Sequence, residues 1–161
     1  MAFNPHPNGG GLVEDNCFVA GTAYVGKYAV VRDHSEVRGY ARIEDYAEVY
    51  GGASVSQNAL VGGDAQIFGG ARVYGYARVT GAAKIAGDAK VYDNARIYGN
   101  AEIASLAEIY GNAQIYGNAQ VHAGAKVYED ASVYGTAVVT DVHVKGCARL
   151  YEKSLLKRLG F

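Results

Sequence analysis

A Val or Ile stands at every sixth position from Val13 to Val133, through Val19, Val25, Val31, Val37 and Ile43, twenty-one times in succession without a gap. Four residues after each comes a small residue, Ala in nineteen cases, with Cys17 and Ser35 as the exceptions. An Ala and the aliphatic residue two positions later have the same parity on a strand, so both point inward while the residue between them points out. The pattern therefore encodes one short strand per six residues, stacked as a solenoid rather than folded around a scattered core.

Between these strands lie pairs such as Gly21-Thr22, Gly39-Tyr40, Gly75-Tyr76, Asp93-Asn94 and Gly117-Asn118. Gly, Asn and Asp accept the positive φ of a tight bend, and Asn and Asp side chains can bond the local backbone, so these are corners. The number of sides comes from a longer period. The outward position after each aliphatic residue reads Tyr74, Thr80, Ala86, Tyr92, Tyr98, Ala104, Tyr110, Tyr116, His122, Tyr128, Tyr134, two aromatic slots and one non-aromatic slot every eighteen residues. Three sides per coil stack Tyr74, Tyr92, Tyr110 and Tyr128 in one ladder and Tyr98, Tyr116 and Tyr134 in another, with Ala86, Ala104 and His122 on a third face. The predicted fold is all-β: a single-domain triangular parallel β-helix of seven to eight coils. At about 4.8 Å per coil, Val13 to Val138 spans roughly 34 Å.

Both ends of such a rod expose unpaired strand edges and need cover. Residues 1–12, rich in Pro and Gly, are expected to cap one end, and residues 13–138 to form the repeat. At the other end the aliphatic slot after Val133 comes one residue early, and Val138, Val144 and Leu150 restore the sixfold spacing for an eighth coil in which Tyr151 extends the second ladder. Within residues 139–161, Lys153 to Phe161 reads as a short capping helix with Leu155, Leu156 and Leu159 on one side. A membrane- or partner-binding helix is the alternative reading of that segment.

The order aliphatic, any, Gly or Asp, Asn, Ala, any, as in Val91-Tyr92-Asp93-Asn94-Ala95-Arg96, resembles the hexapeptide repeat of the left-handed parallel β-helix superfamily. The resemblance covers at least 126 of the 161 residues. It implies a left-handed coil, whereas the general rule for parallel crossovers favours the right hand. It also implies one of several roles, since the superfamily holds acyltransferases, γ-class carbonic anhydrases and non-enzymatic solenoids, and it implies trimers as the common state of association.

With 19% charged residues and a net charge of −1, the chain gives no electrostatic case for general nucleic-acid binding, so an anion site would be local. No stretch is apolar enough to span a membrane, the N-terminus has no basic segment followed by an apolar run, and a cytoplasmic location is the expectation. Cys17 and Cys147 lie 130 residues apart in different coils, so neither a disulfide nor zinc is expected.

Acyltransferases of the superfamily interrupt the coils with an extended loop and place a His as general base near the thioester of acyl-CoA; this chain has no insertion between Val13 and Val138. His34 at a corner and His122 on the Ala-bearing face are the weak catalytic candidates, each more simply a solvated imidazole. His6, His34, His122 and His143 are too scattered for the three-His zinc site of a carbonic anhydrase, and no metal or other cofactor is expected. The corner glycines are not followed by a helix and do not form a phosphate loop; the serines have no readable triad partners.

One run of charge stands out. The outward position before each aliphatic residue reads Arg72, Arg78, Lys84, Lys90, Arg96 without interruption, and the register stacks Arg72 on Lys90 and Arg78 on Arg96. With Tyr74, Tyr76, Tyr92 and Tyr98 nearby, the candidate ligand-binding set is Arg72, Tyr74, Tyr76, Arg78, Lys90, Tyr92, Arg96 and Tyr98, suited to an anionic small molecule or a sugar. A basic belt that only solvates the sheet and discourages edge pairing fits the same residues. Ala86, Ala104, Leu106 and Ala123 form a flat, partly apolar strip, read either as a self-association face or as a patch too small to matter. The sequence thus favours a non-catalytic structural or binding solenoid; the alternative is an acyltransferase-like enzyme with its site between subunits.

Overall fold

The computed structural model describes residues 2–152. Its strands are two or three residues long and fall into three sheets, parallel except at Phe3–Pro5: a first, which includes Leu12–Glu14, a second, which begins with Phe18–Val19, and a third, which begins with Tyr24–Val25. Each strand pairs with the strand one coil later, so that Arg72–Val73 lies between Ser54–Val55 and Lys90–Val91. The sheets form the three sides of eight coils, which run from Leu12–Glu14 to Arg149–Leu150.

The inward positions explain this shape. From Ala23 to Val139 every aliphatic and small-residue slot is fully buried, Ser35 included. Val and Ile fill the lumen, each contributing roughly 1.5–3 kcal/mol of burial, while Ala near each corner leaves room for the chain to turn. The Ser35 hydroxyl remains satisfied by donating to the Arg32 carbonyl at 2.6 Å. Outward residues meanwhile bond the next coil through the backbone: the Arg78 and Thr80 amides donate to the carbonyls of Ala95 and Ile97, both at 2.9 Å.

The first corner residue carries the bend. From Asp33 to Asp141 each has φ between 54° and 73°. At Gly81 a Cβ would also sit 2.8 Å from the Gly99 backbone, so glycine serves both the dihedral and the close approach of stacked corners. At four of the positions where another residue occupies this slot, its side chain reaches the corner above. Asp45, Gln57, Asp93 and Glu129 accept the amide protons of Gly63, Gly75, Gly111 and Gly146 at 2.9, 2.9, 3.2 and 2.7 Å, which offsets the cost of a left-handed non-glycine residue.

The register at the far end differs from the sequence expectation. The inward residue of Val138–Thr140 is Val139, fully buried and opposite Val121, while Val138 lies on the outer side. The sixfold beat therefore runs one step further, and the missing residue falls at the next corner, where Val127 pairs with Val144. A corner absorbs a deletion by tightening, whereas a strand would turn its side chains inside out. At the opposite end Phe3–Pro5 pairs antiparallel with Leu12–Glu14. The Val25 amide donates to Asn8 and its carbonyl accepts from Gly11, at 3.1 and 2.9 Å, so the N-terminal segment covers the edges of the first and third sheets. The helix expected from Lys153 to Phe161 lies outside the described residues.

Candidate functional site

Six residues make one side of the coil, so neighbours in the basic run lie on different sheets. Arg72 and Lys90 pair on the second sheet, Arg78 and Arg96 on the third, and Lys84 sits between Gln66 and Glu102 on the first. The belt is thus three local charges rather than one surface. Lys90 is compensated: Glu108, one coil on, contacts its Nζ at 3.3 Å and that of Lys126 at 3.2 Å. Burial opposes the charge on Glu108, but the hydrogen bonds from Lys126 and Lys90 outweigh it and hold its pKa below the ordinary carboxylate value. Among the described residues, no carboxylate lies within ion-pair distance of Arg72, Arg78 or Arg96.

Two open grooves follow from these rows. On the second sheet a groove of about 700 Å³ is bordered by Arg38, Arg72 and Lys90, but also by Glu36 and Asp88, with His34 at its corner. On the third sheet a smaller groove of about 360 Å³ holds Arg42, Arg78 and Arg96, with Leu60 between the arginines. Tyr76 and the carboxamides of Asn58 and Asn94 border it along the corner, and it contains no acidic residue. Arg42 is paired with Glu44 outside the groove, at 2.6 Å. Of the eight residues expected to form one site, Tyr76, Arg78 and Arg96 meet here and Arg72, Tyr74 and Lys90 meet in the other groove. Tyr92 continues the ladder above Tyr74, and Tyr98 follows the third-sheet strand toward the opposite corner. Arg42, Asn58, Leu60 and Asn94 were missed, although their spacing of eighteen or thirty-six residues from Tyr76 and Arg78 was the available signal.

The tyrosines are mostly structural. Tyr74, Tyr92, Tyr110 and Tyr128 stack at centroid separations of 4.9, 5.0 and 4.9 Å, and Tyr98, Tyr116 and Tyr134 at 4.8 and 4.9 Å. Tyr151 extends the second ladder at 5.2 Å, while Tyr50–Phe68 and Tyr28–Tyr46 are two further stacks. Burial, reinforced by the Glu108 charge, pushes the Tyr92 hydroxyl up to about 12, and burial also raises Tyr74, Tyr98 and Tyr110. These rings are neutral stacking elements at any ordinary pH. Tyr76, 65% exposed, stands outside both ladders.

The histidines are dispersed. His34 is an exposed corner residue with φ 63°, and His122 lies 3.4 Å from the Gln120 side chain on the first sheet. Among the described residues, no carboxylate lies within ion-pair distance of either. Ala86 and Ala104 follow paired first-sheet strands, and Leu106, 64% exposed, and Ala123 occupy the corner toward the second sheet, so these four do share one edge. Near the capped end a cleft of about 300 Å³ brings together His6, Glu14, Asp15 and Cys17. Its buried Glu14 is committed to structure by accepting the Asp33 amide at 2.6 Å, and burial raises the Cys17 thiol away from reactivity. Both cysteines are free, and no group of three potential metal ligands occurs among the described residues.

No family model and no curated protein sequence matches the chain. Among solved structures it is similar to the UDP-N-acetylglucosamine acyltransferase from Campylobacter jejuni, with 16% identity and a TM-score of 0.47 over 78% of this chain. The matched region spans 66% of that enzyme's length. No helix among the described residues is long and apolar enough to cross a membrane.

Proposed function

We propose that this protein is a non-catalytic binding module, a rigid β-helical rod that presents a site for an anionic ligand on one side. The observation that carries this reading is the stacking of Arg78 on Arg96 with no carboxylate of the described residues within ion-pair distance of either. Like charges directly opposite each other on a sheet are destabilising, and a bound anion would offset that repulsion. The absence of any inserted loop along the coils, and of an oriented general base at His34 or His122, supports binding over catalysis. The shared edge of Ala86, Ala104, exposed Leu106 and Ala123 supports association with further copies of the chain.

Thermal melting in the presence of inorganic sulfate and phosphate tests the ligand reading. Both anions raise the midpoint, and the gain diminishes as sodium chloride screens the site. No shift with either anion at concentrations up to on the order of 10 mM overturns it. Turnover of an acyl donor by the purified protein would overturn its non-catalytic part. For the edge, Leu106→Asp lowers the mass measured by light scattering, and an unchanged mass removes that surface.

A further inference from the structure

The third-sheet groove is elongated along the rod, and its chemistry is mixed in a way a simple anion does not require. Arg42, Leu60, Arg78 and Arg96 stand in one row, on four successive coils. At about 4.8 Å per coil, Arg42 is roughly 9.6 Å from Arg78 in backbone and Arg96 a further 4.8 Å, beyond the reach of one tetrahedral oxyanion. Beside this row run Asn58, Tyr76 and Asn94, also on successive coils. A carboxamide offers both donors and an acceptor, which suits hydroxyl groups, whereas a phosphodiester backbone accepts only. Tyr76 and Leu60 add apolar surface for the flat face of a ring.

Resting on the binding reading above, we infer that this groove takes a linear acidic glycan lying along the rod axis. Its sulfate or uronate groups meet Arg78 and Arg96, its hydroxyls meet Asn58 and Asn94, and one pyranose ring stacks on Tyr76. A single-stranded nucleic acid fits less well. Base stacking along a strand needs successive exposed aromatic platforms, and of the residues that line this groove Tyr76 alone is aromatic. The groove of the second sheet suits this ligand less, because Asp88 lines it and its Arg38 and Lys90 are already paired with Glu36 and Glu108.

Calorimetric titration of the full chain with four probes tests the assignment: a heparin-type sulfated oligosaccharide, an oligogalacturonate, an uncharged cello-oligosaccharide and a single-stranded thymidine oligonucleotide. At least one acidic glycan binds, and comparing the first two identifies sulfate or uronate as the recognised group. Arg78→Gln or Arg96→Gln weakens it about tenfold, and Tyr76→Ala weakens it several-fold. Arg72→Gln, on the other groove, leaves binding within about twofold, and all four variants melt within a few degrees of the parent because each site is exposed. Tighter binding of the oligonucleotide or of the uncharged glycan, or a larger loss from Arg72→Gln than from Arg78→Gln, overturns the glycan assignment. Those outcomes leave an anion-binding module standing whenever sulfate or phosphate still raises the melting point. Silence of all four probes together with a flat melting response removes both readings.

Discussion

Coils one to three and coils four to eight share one backbone and one core yet hold their outer surfaces together by different means. In the early coils, the Tyr28–Tyr46 stack apart, the outward rows pair unlike groups. Arg32 bridges Asp33 and Glu48 and lies 4.2 Å from the Tyr50 ring centre, and Arg38 and Arg42 pair with Glu36 and Glu44 while lying over Phe18 and Tyr24. In the later coils like stands on like. The two tyrosine ladders run almost unbroken, Asn100 donates to Asn118 at 3.2 Å, and Asn112 donates to Asp130 at 3.0 Å. A parallel in-register stack places equivalent positions on top of each other, so a neutral planar group can repeat indefinitely while a charge repeats at a cost in stability unless something opposite intervenes. Glu108 is that intervention between Lys90 and Lys126; at Arg78 and Arg96 there is none.

The comparison can be broken most strongly in the core, where it predicts no difference. Ile43 and Ile97 are fully buried on the third sheet, in an early and a late coil. Ile43→Ala and Ile97→Ala should each cost about 2–5 kcal/mol in denaturant unfolding, and the two should agree closely. A wide gap between them would locate the contrast inside the rod rather than on it. On the surface the halves should separate. Tyr92→Ala removes two ring stacks and is expected to cost about 1–2 kcal/mol, whereas Arg42→Ala removes an exposed ion pair and a cation–ring contact worth less than about 1 kcal/mol. Equal losses would deny the ladders their role.

The smallest effect is one of pH. Because folding raises the Tyr92 hydroxyl to about 12, it favours the protonated ring. That contribution is complete below the ordinary phenol value of about 10 and is lost as pH climbs from there through the folded-state value. Hydrogen exchange at alkaline pH should therefore show the late coils opening more readily than at neutrality, and Tyr92→Phe should blunt that change. An alkaline response confined to the early coils would contradict the assignment.

The ladders and the stacking of Arg78 on Arg96 were legible in the sequence because a period of eighteen residues is a distance of one coil. The candidate site was legible only in part, and the reason is geometric. Arg72 and Arg78 are six residues apart, which reads as adjacency but turns the chain onto another sheet, while Arg42 and Arg78 are thirty-six residues apart and share a groove. Which cations remain unpaired depended in turn on side-chain reach: Lys84 has Glu102 as its register neighbour without an ion pair, while Lys90 and Lys126 converge on Glu108.

By itself the sequence determined the solenoid, its three sides and its aromatic stacks, since these follow from periodicity and the alternation of a strand. Only the tertiary structure decided that the inward residue near the far end is Val139, because a deletion is absorbed at a corner and not in a strand. It also decided that the basic run is divided among three sheets and that, of the two grooves along it, the third sheet's has no carboxylate in its lining, because charge balance depends on neighbours brought together by coiling rather than by sequence.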